Sequence, residues 1–185
     1  DEAILQEYLN DPAGLLVLLP HMGNWELFNV FFRRYGQMTA LYQPPRQGYM
    51  QKVMQKVRVR HGNHMVPTTP SGLKQLYKTL GDGGTAVILP DQVPASGQFV
   101  PFFGHPALTD VLASRLLKNT GAKALGITMV RNDEGLFEAH VLAPDSSIYD
   151  LDELTSIRAV NDLMQTCAEI SPKQYQWEYK RFRER

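Results

Sequence analysis

Leu15-Leu16-Val17-Leu18-Leu19-Pro20-His21-Met22-Gly23-Asn24-Trp25-Glu26 is the stretch that decides the fold. Its apolar run, closed by a proline, reads as a strand buried on both faces. A Gly-Asn turn follows, and helical periodicity begins at Trp25. Thr85-Ala86-Val87-Ile88-Leu89-Pro90-Asp91-Gln92 repeats the grammar: apolar strand, proline, polar end. Further strand-like runs sit at Met38–Tyr42, Lys123–Val130 and Leu136–Leu142. Helical spacing marks Trp25–Tyr35, Tyr49–Arg60, Ser71–Leu80, Leu108–Asn119 and Leu154–Ile170. Pro70-Ser71 and Thr109-Asp110 are start signals, and Gly121 is a stop. Strands alternating with helices predict an α/β fold: a single domain with a mixed, mainly parallel sheet flanked by helices on both faces. The mixed character comes from Arg131-Asn132-Asp133-Glu134-Gly135, a hairpin-like link between the last two strands.

Composition bounds the function. The 185 residues are 43% apolar and 21% charged with zero formal net charge, a globular profile with no global field for nucleic acid. Cys167 is the single cysteine, sits at helical spacing with Leu163, Met164 and Ile170, and makes no internal disulfide. No apolar run approaches the ~20 residues that cross a bilayer. The chain starts at Asp1 rather than Met and reads as one domain, 1–185, of a fragment or processed chain.

His21 is the leading candidate for chemistry. It ends a strand and starts a helix, where open α/β sheets gather ligands, and Glu26 follows five positions on. A glutamate behind one ring nitrogen leaves the other free to take a proton. The spacing alone recurs, at His105 with Asp110 and His140 with Asp145. His140 lies within a strand whose rise of ~3.3 Å per residue carries Asp145 away. Asp110 reads more simply as a first-turn residue at a helix start. His21 merely capping its helix is the competing interpretation.

If the sheet is parallel, Asp91 arrives at the same edge as His21. Two interpretations stand: a partner for a substrate hydroxyl or a basic group, or a turn residue bonding its own backbone. No metal site is expected, because His21, His61, His64 and Asp91 lack a structural zinc pattern. Gly81-Asp82-Gly83-Gly84 precedes a strand and is a turn rather than a phosphate cradle. Ser71, Ser96 and Ser114 lack a nucleophile elbow. Two basic clusters remain. Arg58, Arg60, His61 and His64 surround a turn suited to anionic groups, and Tyr175–Arg185 interleaves aromatics with cations. The latter suits an anionic membrane surface, at about 1 kcal/mol per cation, or a tail packing its aromatics on the domain.

Four blocks together resemble the bacterial lipid A biosynthesis acyltransferases, within the lysophospholipid acyltransferase-like group. They are Pro20-His21-Met22-Gly23-Asn24-Trp25-Glu26, Leu89-Pro90-Asp91-Gln92, Val100-Pro101-Phe102-Phe103-Gly104, and Gln174-Tyr175-Gln176-Trp177 with Lys180-Arg181-Phe182. The resemblance runs from about Leu15 to Arg183, without the family's amino-terminal anchor. It implies transfer of a fatty acyl chain from an acyl carrier protein thioester to a hydroxyl of a lipid A precursor. It also implies a place at the cytoplasmic face of the bacterial inner membrane and no cofactor. His21 would then be the general base and Glu26 the residue holding its tautomer. Backbone N–H groups of Gly23 or Asn24, or the Arg60 guanidinium, would stabilise the oxyanion. Arg58, Arg60, Asn24, Asp91 and Gln92 would bind substrate, and Phe102 and Phe103 would line an acyl channel.

Other classes stay open at this level. The same site acting on another glycolipid or lysophospholipid is one, and thioesterase or esterase activity is another. A non-catalytic lipid-binding domain is a third.

Overall fold

A computed structural model describes residues 2–42, 63–179 and 181–182. Helix α1 (Glu2–Leu9) leads into strand β1 (Leu15–Leu18), every residue of which is buried. Helix α2 (Phe28–Phe32), strand β2 (Met38–Tyr42) and strand β3 (His64–Pro67) follow. Helix α3 (Pro70–Gly81) precedes β4 (Thr85–Ile88), and β5 (Gln98–Phe102) and β6 (His105–Thr109) form a hairpin. The remainder is α4 (Leu112–Thr120), β7 (Lys123–Arg131), β8 (Phe137–Leu142) and α5 (Glu153–Ile170).

Six strands form one sheet in the order β3-β2-β4-β1-β7-β8. The pairs β3–β2, β2–β4, β4–β1 and β1–β7 are parallel, and β7–β8 is antiparallel. The mixed, mainly parallel sheet expected from the sequence is therefore present. Residue alternation along β1 explains its unbroken apolar run. Leu16 and Leu18 join a core with Leu76 and Leu80 of α3, Leu116 and Leu117 of α4, and Leu163 and Met164 of α5. Leu15 and Val17 join a second core on the opposite face, with Leu5 of α1 and Phe28 and Phe32 of α2.

Several elements differ from the sequence expectation. The Trp25–Tyr35 helix is split into a 3₁₀ turn, Trp25–Leu27, and the short α2. Leu108 and Thr109 belong to β6, so α4 starts only at Leu112, whose N–H bonds to Asp110 Oδ1 at 2.8 Å. The β5–β6 hairpin was hidden by Pro101 and Pro106, which face each other across it and argue locally against a strand. Its two-residue turn holds Phe103 at φ 49° and Gly104 at φ 74°, the paired positive angles that suit a tight hairpin. The helix expected at Tyr49–Arg60, and with it Arg58 and Arg60, lies outside the described residues.

Two glycines of α3 separate close packing from helix propensity. A Cβ on Gly72 would run into the Pro67 carbonyl, whereas one on Gly81 meets nothing within 4 Å. Gly72→Ala should lose about 1–3 kcal/mol in urea unfolding, and Gly81→Ala should be neutral or gain up to ~1 kcal/mol. Equal effects of the two changes would contradict this packing.

Candidate active site

The register of β1 and β4 builds the site. Leu18 pairs with Ile88, and the ladder's last rung is the Leu19 N–H to the Ile88 carbonyl, 3.0 Å. Each chain then passes through a proline, so His21 and Asp91 leave the sheet side by side. Asp91 Oδ2 accepts the His21 backbone N–H at 2.7 Å, and Oδ1 accepts Nδ1–H of the ring at 2.6 Å. A carboxylate is acceptor only, so it places the imidazole proton on Nδ1 and leaves Nε2 with its lone pair. That lone pair takes an N–H from Gln92 Nε2 at 2.9 Å. The rings of Trp25 and Tyr179 flank the imidazole edge-on, with centroids at 5.3 and 5.1 Å.

The chain around His21 is fixed by backbone bonds. Gly23 has φ 55°, and a Cβ there would collide with the Met129 carbonyl of β7, so the turn needs glycine. The Gly23 N–H bonds to Gln174 O and the Asn24 N–H to Met129 O, each at 2.9 Å. Of the three expected oxyanion donors, these two backbone N–H groups are spent on the fold, and the Arg60 guanidinium lies outside the described residues. The His21 carbonyl accepts the Gln176 N–H at 3.0 Å, and Met22 pairs with Tyr175, tying the C-terminal segment to the site.

Asp91 is 1% exposed, and a buried carboxylate needs partners. Besides the two bonds from His21, Tyr175 faces it. Burial first, and the Asp91 charge second, push the Tyr175 hydroxyl well above the ordinary tyrosine range, so it stays a neutral O–H. The same two causes push the Cys167 thiol up to about 12, which keeps it protonated and unreactive. Cys167 is a core residue, as its spacing implied.

The sequence-derived candidates are now separable. His21, Asp91 and Gln92 come together. The carboxylate on the ring nitrogen is Asp91, while Glu26 lies with His21 on the wall of a shared cavity. The expectation that Glu26 holds the tautomer is corrected on geometry: Asp91 and Gln92 engage both ring nitrogens. Asp91 likewise faces the base rather than an acceptor. Phe102 and Phe103 do not line the cavity. They pack on Phe182 and Trp177, at 6.0 and 5.5 Å between centroids, and anchor the C-terminal segment. Tyr175 and Arg181 were missed as site residues, because a run of mixed aromatics and cations does not signal which members turn inward.

The cavity has a volume of about 980 Å³ among the described residues. Its walls include apolar Leu19, Phe28, Met38, Met65, Val87 and Leu112 and polar His21, Glu26, Asn29, Thr68, Gln92 and Asp110. Such a shape suits an apolar chain whose reactive end meets the imidazole. Among the described residues no helix is long and apolar enough to cross a membrane, and no group of three His, Cys, Asp or Glu side chains could hold a metal.

Fold and site define an α/β protein built around a carboxylate-oriented histidine on the wall of a cavity. Residues 1–184 match the family model described as bacterial lipid A biosynthesis acyltransferase, and the chain belongs to that family. It is also similar to the lipid A biosynthesis lauroyltransferase of Escherichia coli (strain K12), 25% identical over 192 residues. That match covers 100% of this chain and 62% of the relative, so the chain spans less than two thirds of the relative's length.

Nitrogen-15 NMR tests the ring assignment directly. Neutral His21 should show a protonated Nδ1 and an unprotonated Nε2. Asp91→Asn should lose the hydrogen-bonded Nδ1–H signal, and Glu26→Gln should keep it. The reverse pattern would return the orienting role to Glu26.

Proposed function

We propose that this protein transfers a fatty acyl chain from an acyl carrier protein thioester to a hydroxyl of a lipid A precursor, with His21 as general base. The observation that carries the proposal is the 2.6 Å Asp91–His21 bond, which puts the ring proton on Nδ1 and the lone pair on Nε2 of a histidine that lines the cavity. Family membership supports the substrate class.

An alcohol is a weak nucleophile at neutral pH. In the proposed reaction, the acceptor hydroxyl takes the place of the Gln92 amide at Nε2 and gives up its proton as its oxygen attacks the thioester carbonyl. The new C–O bond forms, the tetrahedral centre collapses, and the C–S bond breaks. The departing sulfur takes the proton back from the imidazolium. Asp91 stabilises that imidazolium, as a buried carboxylate behind a histidine does in other acyl-transfer enzymes. Glu26 adds negative charge from the cavity wall. No covalent acyl-enzyme is needed, because the alcohol itself is the nucleophile. Arg58 and Arg60 remain proposed contacts for anionic substrate groups, and the C-terminal aromatics and cations a proposed contact for an anionic membrane at the cytoplasmic face.

Mass spectrometry of lipid products, with carrier-protein thioesters of graded chain length, tests the proposal. The expected result is a gain of one acyl group on the precursor, falling about 10²–10⁴-fold in His21→Ala. Release of free fatty acid without acylated lipid would establish hydrolysis instead. An unchanged rate in His21→Ala would remove His21 as the base.

A further inference from the structure

Arg181 lies in a segment rich in exposed aromatics, yet is itself 4% exposed. Burying a guanidinium is costly unless its donors are used. Nη1 donates to the carbonyls of Pro90 at 3.3 Å and Gln92 at 3.5 Å, the residues on either side of Asp91. Nη2 donates to Asn161 Oδ1 at 2.9 Å and to Thr109 Oγ1 at 3.4 Å. Asn161 in turn donates to Thr109 Oγ1 at 2.9 Å and to the Pro101 carbonyl at 3.0 Å. The guanidinium lies over the Phe102 ring, 4.9 Å from its centroid. One cation therefore links the C-terminal segment, α5, the β5–β6 hairpin and the turn that carries Asp91.

The side chains of Asp91 and Gln92 are held by His21, Tyr175 and Tyr179, but the carbonyls on either side of Asp91 are held by Arg181. The β1–β4 ladder ends at the Leu19–Ile88 rung, and Pro90 has no N–H to extend it. Yet Asp91 must place both carboxylate oxygens on His21, and Gln92 must reach the far ring nitrogen. We infer that Arg181 is a positioning residue for the base, clamping the Pro90–Gln92 turn so that Asp91 orients His21. The inference deepens the function proposed above and rests on its general-base reading. Arginine suits the task because its planar fork serves acceptors on two sides at once, which a lysine point charge does not. The Lys180-Arg181-Phe182 block thereby acquires a reason: Arg181 enters beneath the turn while Phe182 stacks on Phe102 above the hairpin.

Arg181→Ala and Arg181→Lys, read by nitrogen-15 NMR of His21 and by acyl-transfer kinetics, test the inference. Both variants should lose the bonded Nδ1–H signal and lower kcat by up to about 10²-fold, the cost of a misplacement near 1 Å, with KM nearly unchanged. Millimolar guanidinium should restore signal and kcat to Arg181→Ala, and methylammonium should not. Leu80→Ala is the stability control, since Leu80 is a buried core residue of α3 that neither lines the cavity nor bonds to the Pro90–Gln92 turn; it should keep the signal. A folded Arg181→Ala or Arg181→Lys with the signal intact and kcat within about twofold would overturn the inference. So would a loss that guanidinium leaves unrepaired and Leu80→Ala reproduces. If the wild type transfers no acyl group, but guanidinium still restores the NMR signal, the clamp stands and the proposed function falls.

Discussion

The structure turns on one contact between the ends of two adjacent parallel strands, the Asp91 carboxylate against His21. Both its oxygens are committed, one to the His21 backbone and one to the ring. The backbone bond fixes where His21 leaves the sheet, and the ring bond fixes which nitrogen carries the proton. Neither would hold if β1 and β4 slipped in register, because a one-residue slip sends side chains to the opposite face. The observed register pairs Leu18 with Ile88, and both faces of β1 are buried in the core. The hydrophobic core is in this sense the first determinant of the site's chemistry.

A buried carboxylate on the strand edge has to be surrounded, and the C-terminal segment does much of this. Tyr175 covers Asp91 with a hydroxyl held neutral, and Arg181 braces the carbonyls to either side. Trp177 and Phe182 pack on the β5–β6 hairpin, which is itself fixed to α5 through Asn161 and through Gln165, whose Oε1 accepts the Phe103 N–H at 2.9 Å. Chain-distant elements thus converge behind the histidine, while the cavity side stays apolar apart from His21, Glu26, Gln92 and a few further polar groups. This arrangement gives the histidine an oriented proton at one nitrogen and, at the other, a lone pair engaged by the Gln92 amide on the cavity side.

Much of this was legible in the sequence because β1 and β4 share a pattern. Two apolar runs ending Leu-Pro-His and Leu-Pro-Asp bring His21 and Asp91 to one edge of a parallel sheet, and the pairing of β1 with β4, which the sequence did not specify, sets them side by side. What misled was local spacing. His21 and Glu26 are near in sequence, but the Gly23–Asn24 turn is pinned to β7 and to the C-terminal segment, and the ring nitrogens face the partner strand. The hairpin was illegible because its prolines oppose strand formation locally, and pairing with a partner decides otherwise. Arg181 was illegible as a buried residue because nothing in a run of alternating cations and aromatics shows which cation a neighbouring turn will claim.

A double-mutant cycle on acyl transfer tests most directly whether Asp91 acts through His21. The account predicts that His21→Ala combined with Asp91→Asn is no slower than His21→Ala alone, since without the imidazole there is nothing for the carboxylate to orient. Losses that add in full across the two changes would contradict it.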